Sequence, residues 1–186
     1  MKRGAAVCVL CLLLAGCGGG ESVLDRALEF RQTLLAGTGC TFSLDLTADY
    51  GDLLCSFSVD CQADDSGKVT FQVAQPQSLA GITGVLSGDT GALTFDGHLL
   101  AFDPLAEDLP TPVGSPWVLI STLREGYIRS AGQEDQRYRI AMNHTYGENA
   151  LQLDVWLDEK HIPVQCDILS DGRRILSMVI RDFRIL

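Results

Sequence analysis

The chain has 186 residues, enough for one domain with a substantial core and too few for two comfortable ones. It carries 24 acidic against 14 basic residues, a formal net charge of −10. Such a surface repels nucleic acid and anionic headgroups, because affinity for either rests on lysine and arginine clusters, so no nucleic-acid partner is expected.

Lys2 and Arg3 precede an apolar run from Ala5 to Leu14, and Ala15-Gly16-Cys17 and three glycines follow. A cationic start, about ten apolar residues and small residues before a cut site mark a secretory signal. The run falls well short of the roughly 20 apolar residues a plain transmembrane anchor needs. Leu14-Ala15-Gly16-Cys17 resembles a bacterial lipobox. That resemblance implies that residues 1–16 are a lipoprotein signal peptide, removed on export, and that Cys17 is diacylated on sulfur and becomes the mature N-terminus. Residues 17–21 are then the lipidated cysteine and a Gly-rich tether, and 22–186 the folded domain. Lys2 and Arg3 leave with the signal, so 12 basic residues face 24 acidic ones, a net charge near −12. Attachment to the cell membrane, on its extracytoplasmic side, must then come from the acyl chains, and two chains suffice where one does not.

Ser22, with Asp25 three residues on, caps a helix over roughly 22–36. Val23, Leu24, Ala27, Leu28, Leu34 and Leu35 line one face, broken only by Arg31, and Gly37 closes it. From Gly39 the period changes to two. Cys40, Phe42, Leu44, Leu46 and Ala48 alternate with polar residues, as do Cys55, Phe57, Val59 and Cys61, which predicts two half-buried antiparallel strands. A two-residue turn at Tyr50-Gly51 would set Leu46 opposite Cys55, Leu44 opposite Phe57 and Cys40 opposite Cys61. Val69, Phe71 and Val73 follow, then a strand near Ile82–Leu86, then the Asp96-Gly97 hairpin that pairs Phe95 with His98 and Leu93 with Leu100. Pro104, Pro110 and Pro112 make 103–114 an irregular loop. Ser115-Pro116 opens a second helix with Trp117, Ile120, Leu123 and Tyr127 on one face. A meander from Tyr138 to Ile185 completes the chain. Its last strand is apolar in both registers and predicts cover on both faces.

Nothing in this inventory points to catalysis. His98, His144 and His161 are far apart and sit in or beside turns, with no HxxxH or HExxH pair, so no metal site and no cofactor is expected. There is no GxSxG elbow, P-loop or dinucleotide fingerprint. The aspartates cluster in turns, where their local hydrogen bonds favour them. Directly opposed, Cys40 and Cys61 would have β-carbons about 4.5–5.5 Å apart, close to disulfide geometry. They read either as a bridge pinning the first hairpin or as two small buried hydrophobes.

The fold class is α+β and mainly antiparallel: about ten strands forming a half-open curved sheet, an incomplete barrel closed by the N-terminal and mid-chain helices. Two helices cannot fully cover a sheet of that size. The uncovered remainder would be a cavity lined by Phe42, Leu44, Phe57, Val59, Phe71, Leu93, Phe95, Leu100 and Phe102. Alternatively these residues fill a closed sandwich or barrel core.

The order of elements, with Phe71-Gln72-Val73-Ala74-Gln75-Pro76, Leu79-Ala80-Gly81-Ile82, Leu93-Thr94-Phe95-Asp96-Gly97-His98 and the closing Ile162-Pro163-Val164 to Asp171-Gly172, resembles the LolA/LolB lipoprotein-carrier superfamily. It looks closest to lipoprotein members from Gram-positive spore formers. The resemblance implies a half-barrel whose apolar cavity takes a lipid or acyl chain. It also implies an alternative, a non-catalytic scaffold that docks an envelope protein partner in spore germination or cortex processing.

Overall fold

The computed structural model describes residues 22–88, 90–106, 109–147 and 150–186. The signal peptide, Cys17 and the tether lie outside the described residues. Helix α1 (Val23–Ala36) begins with the expected capping box: Ser22 Oγ accepts from the Asp25 N–H at 3.1 Å, and the Asp25 carboxylate accepts from the Ser22 N–H at 3.1 Å. Gly37 ends it in an extended conformation, φ −74°, and a β-carbon there would lie 2.6 Å from Ile185. Lack of room beside the last strand therefore excludes a side chain at this position.

Six strands follow as successive antiparallel hairpins: β1 (Gly39–Asp49), β2 (Leu54–Asp64), β3 (Val69–Gln75), β4 (Thr83–Ser87), β5 (Thr90–Phe95) and β6 (His98–Phe102). The segment expected to be irregular contains a small ribbon, β7 (Leu105–Ala106) with β8 (Leu109–Pro110), and a 3-10 turn at Pro112–Gly114. Helix α2 (Ser115–Glu125) leads into β9 (Tyr127–Glu134), β10 (Arg137–Asn143), β11 (Gln152–Leu157), β12 (Pro163–Ser170) and β13 (Arg173–Ile185). β13 pairs with β1 and joins the two meanders into one eleven-stranded sheet, in the order β6-β5-β4-β3-β2-β1-β13-β12-β11-β10-β9. The sheet curves without closing, so β6 and β9 are free edges.

Four expectations change on contact with the structure. The first hairpin turns at Gly51-Asp52, with Gly51 at φ +91° and its N–H held by the Asp49 carboxylate at 2.9 Å. Its register is two residues away from the one expected. Leu46 faces Phe57, Cys40 faces Ala63 and Cys61 faces Phe42. A shift of two preserves which face each side chain occupies, so the apolar set stays together. The cysteines are no longer directly opposed, and Cys40, Cys55, Cys61 and Cys166 are all free thiols. Second, Ser115 is not the cap of α2 but its first residue, preceded by Gly114. Its hydroxyl donates to the Pro112 carbonyl at 2.8 Å, and Thr111 caps the 3-10 turn instead. Third, Tyr127 belongs to β9, an edge strand without apolar alternation that therefore gave no periodic signal. Fourth, β13 is not covered on two faces. Its pairing skips Ile175 against β12 and Asp182 against β1, and Asp182 adopts φ +52°. These bulges switch the phase of the strand, so Leu176, Met178 and Ile180 point inward first and Phe183 after them.

The core lies between the inner face of the sheet and the two helices. α1 packs on β1, β9, β10 and α2, and α2 packs on α1 and β3. Phe183 stands between Phe30 of α1 and Phe42 of β1, with ring centroids 5.9 and 5.6 Å away, and so couples the roof to the floor. Among the described residues no helix is long and apolar enough to cross a membrane.

Candidate functional site

The registers of five successive pairings align one residue from each of six strands into a row across the inner face. It runs from Phe42 through Cys61, Phe71, Gly84 and Leu93 to Leu100. A second row, Cys40, Ala63, Val69, Leu86, Gly91 and Phe102, runs beside it. Every member of both rows is apolar or a thiol. The two glycines serve close packing: a β-carbon at Gly84 would meet the Phe71 ring at 2.3 Å, and one at Gly91 would meet the Phe102 ring at 2.6 Å. Each aromatic ring thus lies across its neighbouring strand, which keeps the floor level and continuous.

Exposure rises along the first row as the roof ends. Phe42 is 3% exposed and Phe71 4%, whereas Leu93 is half-buried and Leu100 is 63% exposed. Neither helix packs on β5 or β6 as they do on β3 or β1. Of the nine residues expected to line a cavity, Phe42, Leu44, Val59 and Phe71 lie buried in the roofed core. Phe57, Leu93 and Phe102 are partly buried against it, and Phe95 and Leu100 stand in solvent. The type I′ turn at Asp96-Gly97, with φ of +50° and +77°, carries Phe95 and Leu100 out on the hairpin. The result is a floor that begins dry and ends as an open apolar lip. A groove of about 750 Å³ lies along β1 to β4 between the polar residues Thr41, Ser43, Gln62, Thr70 and Arg184, and Phe42, Cys61, Phe71 and Gly84 of the first row also line it.

The only ionisable members of the two rows are Cys40 and Cys61. Burial pushes the Cys40 thiol up to about 11 and the Cys61 thiol well above its ordinary value, so neither supplies a thiolate at neutral pH. Among the described residues no cluster of His, Cys, Asp or Glu is placed to hold a metal ion. What the lip offers is desolvation.

Three contacts that periodicity does not reveal fix the roof. Arg31, the break in the apolar stripe of α1, donates from Nε to the Leu123 carbonyl at 2.9 Å and from Nη2 to the Thr122 carbonyl at 3.4 Å. The Thr122 carbonyl already accepts from the Gly126 N–H, so the guanidinium chiefly satisfies the Leu123 carbonyl of the last turn of α2, and a cation there suits the helix dipole. Arg26 donates from Nη1 to Tyr138 Oη at 2.6 Å and to His161 Nε2 at 3.1 Å, tying the start of α1 to the sheet. His144 holds α2. Thr122 Oγ1 donates its proton to the Val118 carbonyl at 2.7 Å, so it accepts from His144 Nδ1–H at 2.9 Å, and Trp117 packs on the imidazole 5.4 Å away. Two histidines expected to be turn residues are therefore tertiary ties.

No protein-family model matches the chain, and no curated protein is significantly similar to it. Solved structures similar to it include a LolA superfamily protein from Nitrosomonas europaea, at 5% identity over 90% of this chain and 94% of that one, TM-score 0.49. An uncharacterized conserved protein from Thermus thermophilus is 9% identical over 89% of this chain and 88% of that one, TM-score 0.48. Mycobacterium tuberculosis lipoprotein LppX is 11% identical over 87% and 94%, TM-score 0.44.

Burial lowers the pKa of His144 from its ordinary 6.5, with Glu125 opposing weakly. The unfolded chain therefore binds a proton at a pH where the folded chain does not, and stability falls as pH drops below about 6.5. The Asp25 and Asp64 carboxyls, held low by hydrogen bonds from Ser22 and Ser66, lose their contribution only at more acid pH. Urea midpoints measured at pH 7.5 and 5.5 should drop for the native chain and drop less for His144→Gln. Equal drops in both would show that His144 is not the group responsible.

Proposed function

We propose that this chain is a membrane-anchored bacterial lipoprotein whose half-barrel binds an apolar ligand, a lipid or acyl chain, along the inner face of β4, β5 and β6. The observation that carries the reading is the row from Phe42 to Leu100, apolar across all six strands while its cover stops short of the last two. An apolar surface left in water gains about 25 cal/mol for each Å² an acyl chain covers, or about 0.8 kcal/mol per buried methylene. A chain laid on the lip would touch Leu93, Phe95, Leu100 and Phe102 and would abut the roofed core at Phe71. The carboxyl or headgroup would remain in solvent, since the rows present no charged partner. Binding, not catalysis, is the chemistry of such a surface.

The chain from residue 18 onward should take up the fluorescent fatty acid cis-parinaric acid saturably. Phe95→Asp and Leu100→Asp should each weaken that uptake about tenfold or more, the loss of one buried side chain's transfer free energy, with the far-ultraviolet spectrum unchanged. No saturable uptake, or equal uptake by the variants, would remove the reading.

The anchor belongs to the same reading. Lys2, Arg3, the apolar run and Leu14-Ala15-Gly16-Cys17 support cleavage before Cys17 and its diacylation, which would hold the lip at an extracytoplasmic membrane surface. Intact mass of the membrane-extracted protein should match a diacylated chain beginning at Cys17, and Cys17→Ala should leave the membrane fraction. A mature protein with an unmodified cysteine there would contradict it.

A further inference from the structure

Around the lip the charge has one sign. From Val69 to Leu123 the chain carries five carboxylates and no lysine or arginine, and β3 to β6 lie in that stretch. Two of the five flank β6. Asp96, exposed at φ +50° in the hairpin turn, follows Phe95, and exposed Asp103 follows Phe102. Among the described residues the ion pairs are Arg139–Asp154, Arg173–Asp49, Arg174–Asp167 and Arg181–Asp45, so neither Asp96 nor Asp103 has a cation beside it. Lys68 and Arg124 lie across β4 from the lip, in a small recess with Ser87 and Gly88, and Glu125 shares that recess with them.

We infer that the amphiphile taken by the lip carries a cationic head, an alkyl chain ending in an ammonium group, and that a fatty carboxylate of the same length binds more weakly. The inference rests on the lipid-binding reading and names the ligand class within it. The lip makes the site, because burial of the chain supplies affinity whatever the head. The two carboxylates decide which head is tolerated. β6 has five residues, so its edge is about 17 Å long at about 3.3 Å per residue. A head emerging anywhere along that edge is within about 10 Å of Asp96 or Asp103, the Debye length at about 0.1 M salt.

An ammonium group there is attracted without leaving water, and a carboxylate is repelled with no arginine or lysine on β3 to β6 to offset it. The apolar surface beside the head strengthens both effects, since field lines pass through it less screened than through solvent.

Displacement of cis-parinaric acid from the chain from residue 18 onward, which holds every described element, tests the inference. At pH 8 dodecylamine, a cation, should displace the probe at a concentration about fivefold or more below that of dodecanoate, an anion of equal chain length, as two exposed charge pairs would give. Asp96→Asn combined with Asp103→Asn should cut that ratio to about half or less. Asparagine suits the type I′ turn as well as aspartate does, so the hairpin is kept. Asp52→Asn combined with Asp135→Asn, the same charge change on exposed turns of the β1–β2 and β9–β10 hairpins, should leave the ratio unchanged. Equal displacement by the two amphiphiles, a ratio untouched by the first pair of substitutions, or one lowered as much by the second pair would overturn the inference and leave the lip as an apolar site. No saturable uptake of the probe would remove the lip and the inference together.

Discussion

A sheet of eleven strands with one apolar face has to be covered, and α1 and α2 reach only part of it. Everything distinctive about the molecule follows from that shortfall. Where the helices lie, the inner face is close-packed, with Leu44, Leu119, Leu153 and Met178 fully buried. Where they stop, the same alternation of apolar residues continues along β5 and β6 into water. An apolar surface of this extent in an otherwise acidic, polar protein is a standing cost unless something covers it for part of the time.

The position of the roof is set by polar contacts as much as by grease. Arg31 ties α1 to the C-terminal carbonyls of α2, Arg26 ties it to Tyr138 and His161, and His144 ties α2 to the end of β10. Tyr50 adds a fourth tie by donating to the Pro110 carbonyl, which links the first hairpin to the ribbon ahead of α2, and burial pushes its phenol up to about 12. These contacts fix α1 over β1, β9 and β10 and set α2 against α1 and β3. A roof fastened in this way leaves the β5–β6 side open by construction, so the lip belongs to the ground state of the fold.

The sequence reading went furthest where one physical rule dominates. The capping box at Ser22, the Asp96-Gly97 turn and the two-residue alternation of β1 and β2 each rest on a single local cause, and each is found. Where two causes compete it stopped short. The first turn could sit at Tyr50-Gly51 or Gly51-Asp52 with the same faces buried, so alternation could not choose between them. β13 looked two-faced because bulges at Ile175 and Asp182 leave no mark in composition. β9 sets Ile128 against the core but has no further apolar alternation, so it has no period to find. The nine residues taken as a cavity lining do share a face, but their division into roofed floor and open lip depends on where α1 and α2 end in space. That placement rests on Arg31 and His144, whose side-chain partners lie far away in the chain.

Amide hydrogen exchange read strand by strand, with and without a long-chain fatty acid, bears most directly on the claim that cover ends between β3 and β5. The account requires slow exchange in β1 and β3 under both conditions, and faster exchange in β5 and β6 that slows when the fatty acid is added. Equal protection of β3 and β6 in the free protein, or a ligand that protects only the groove along β1 to β4, would contradict it.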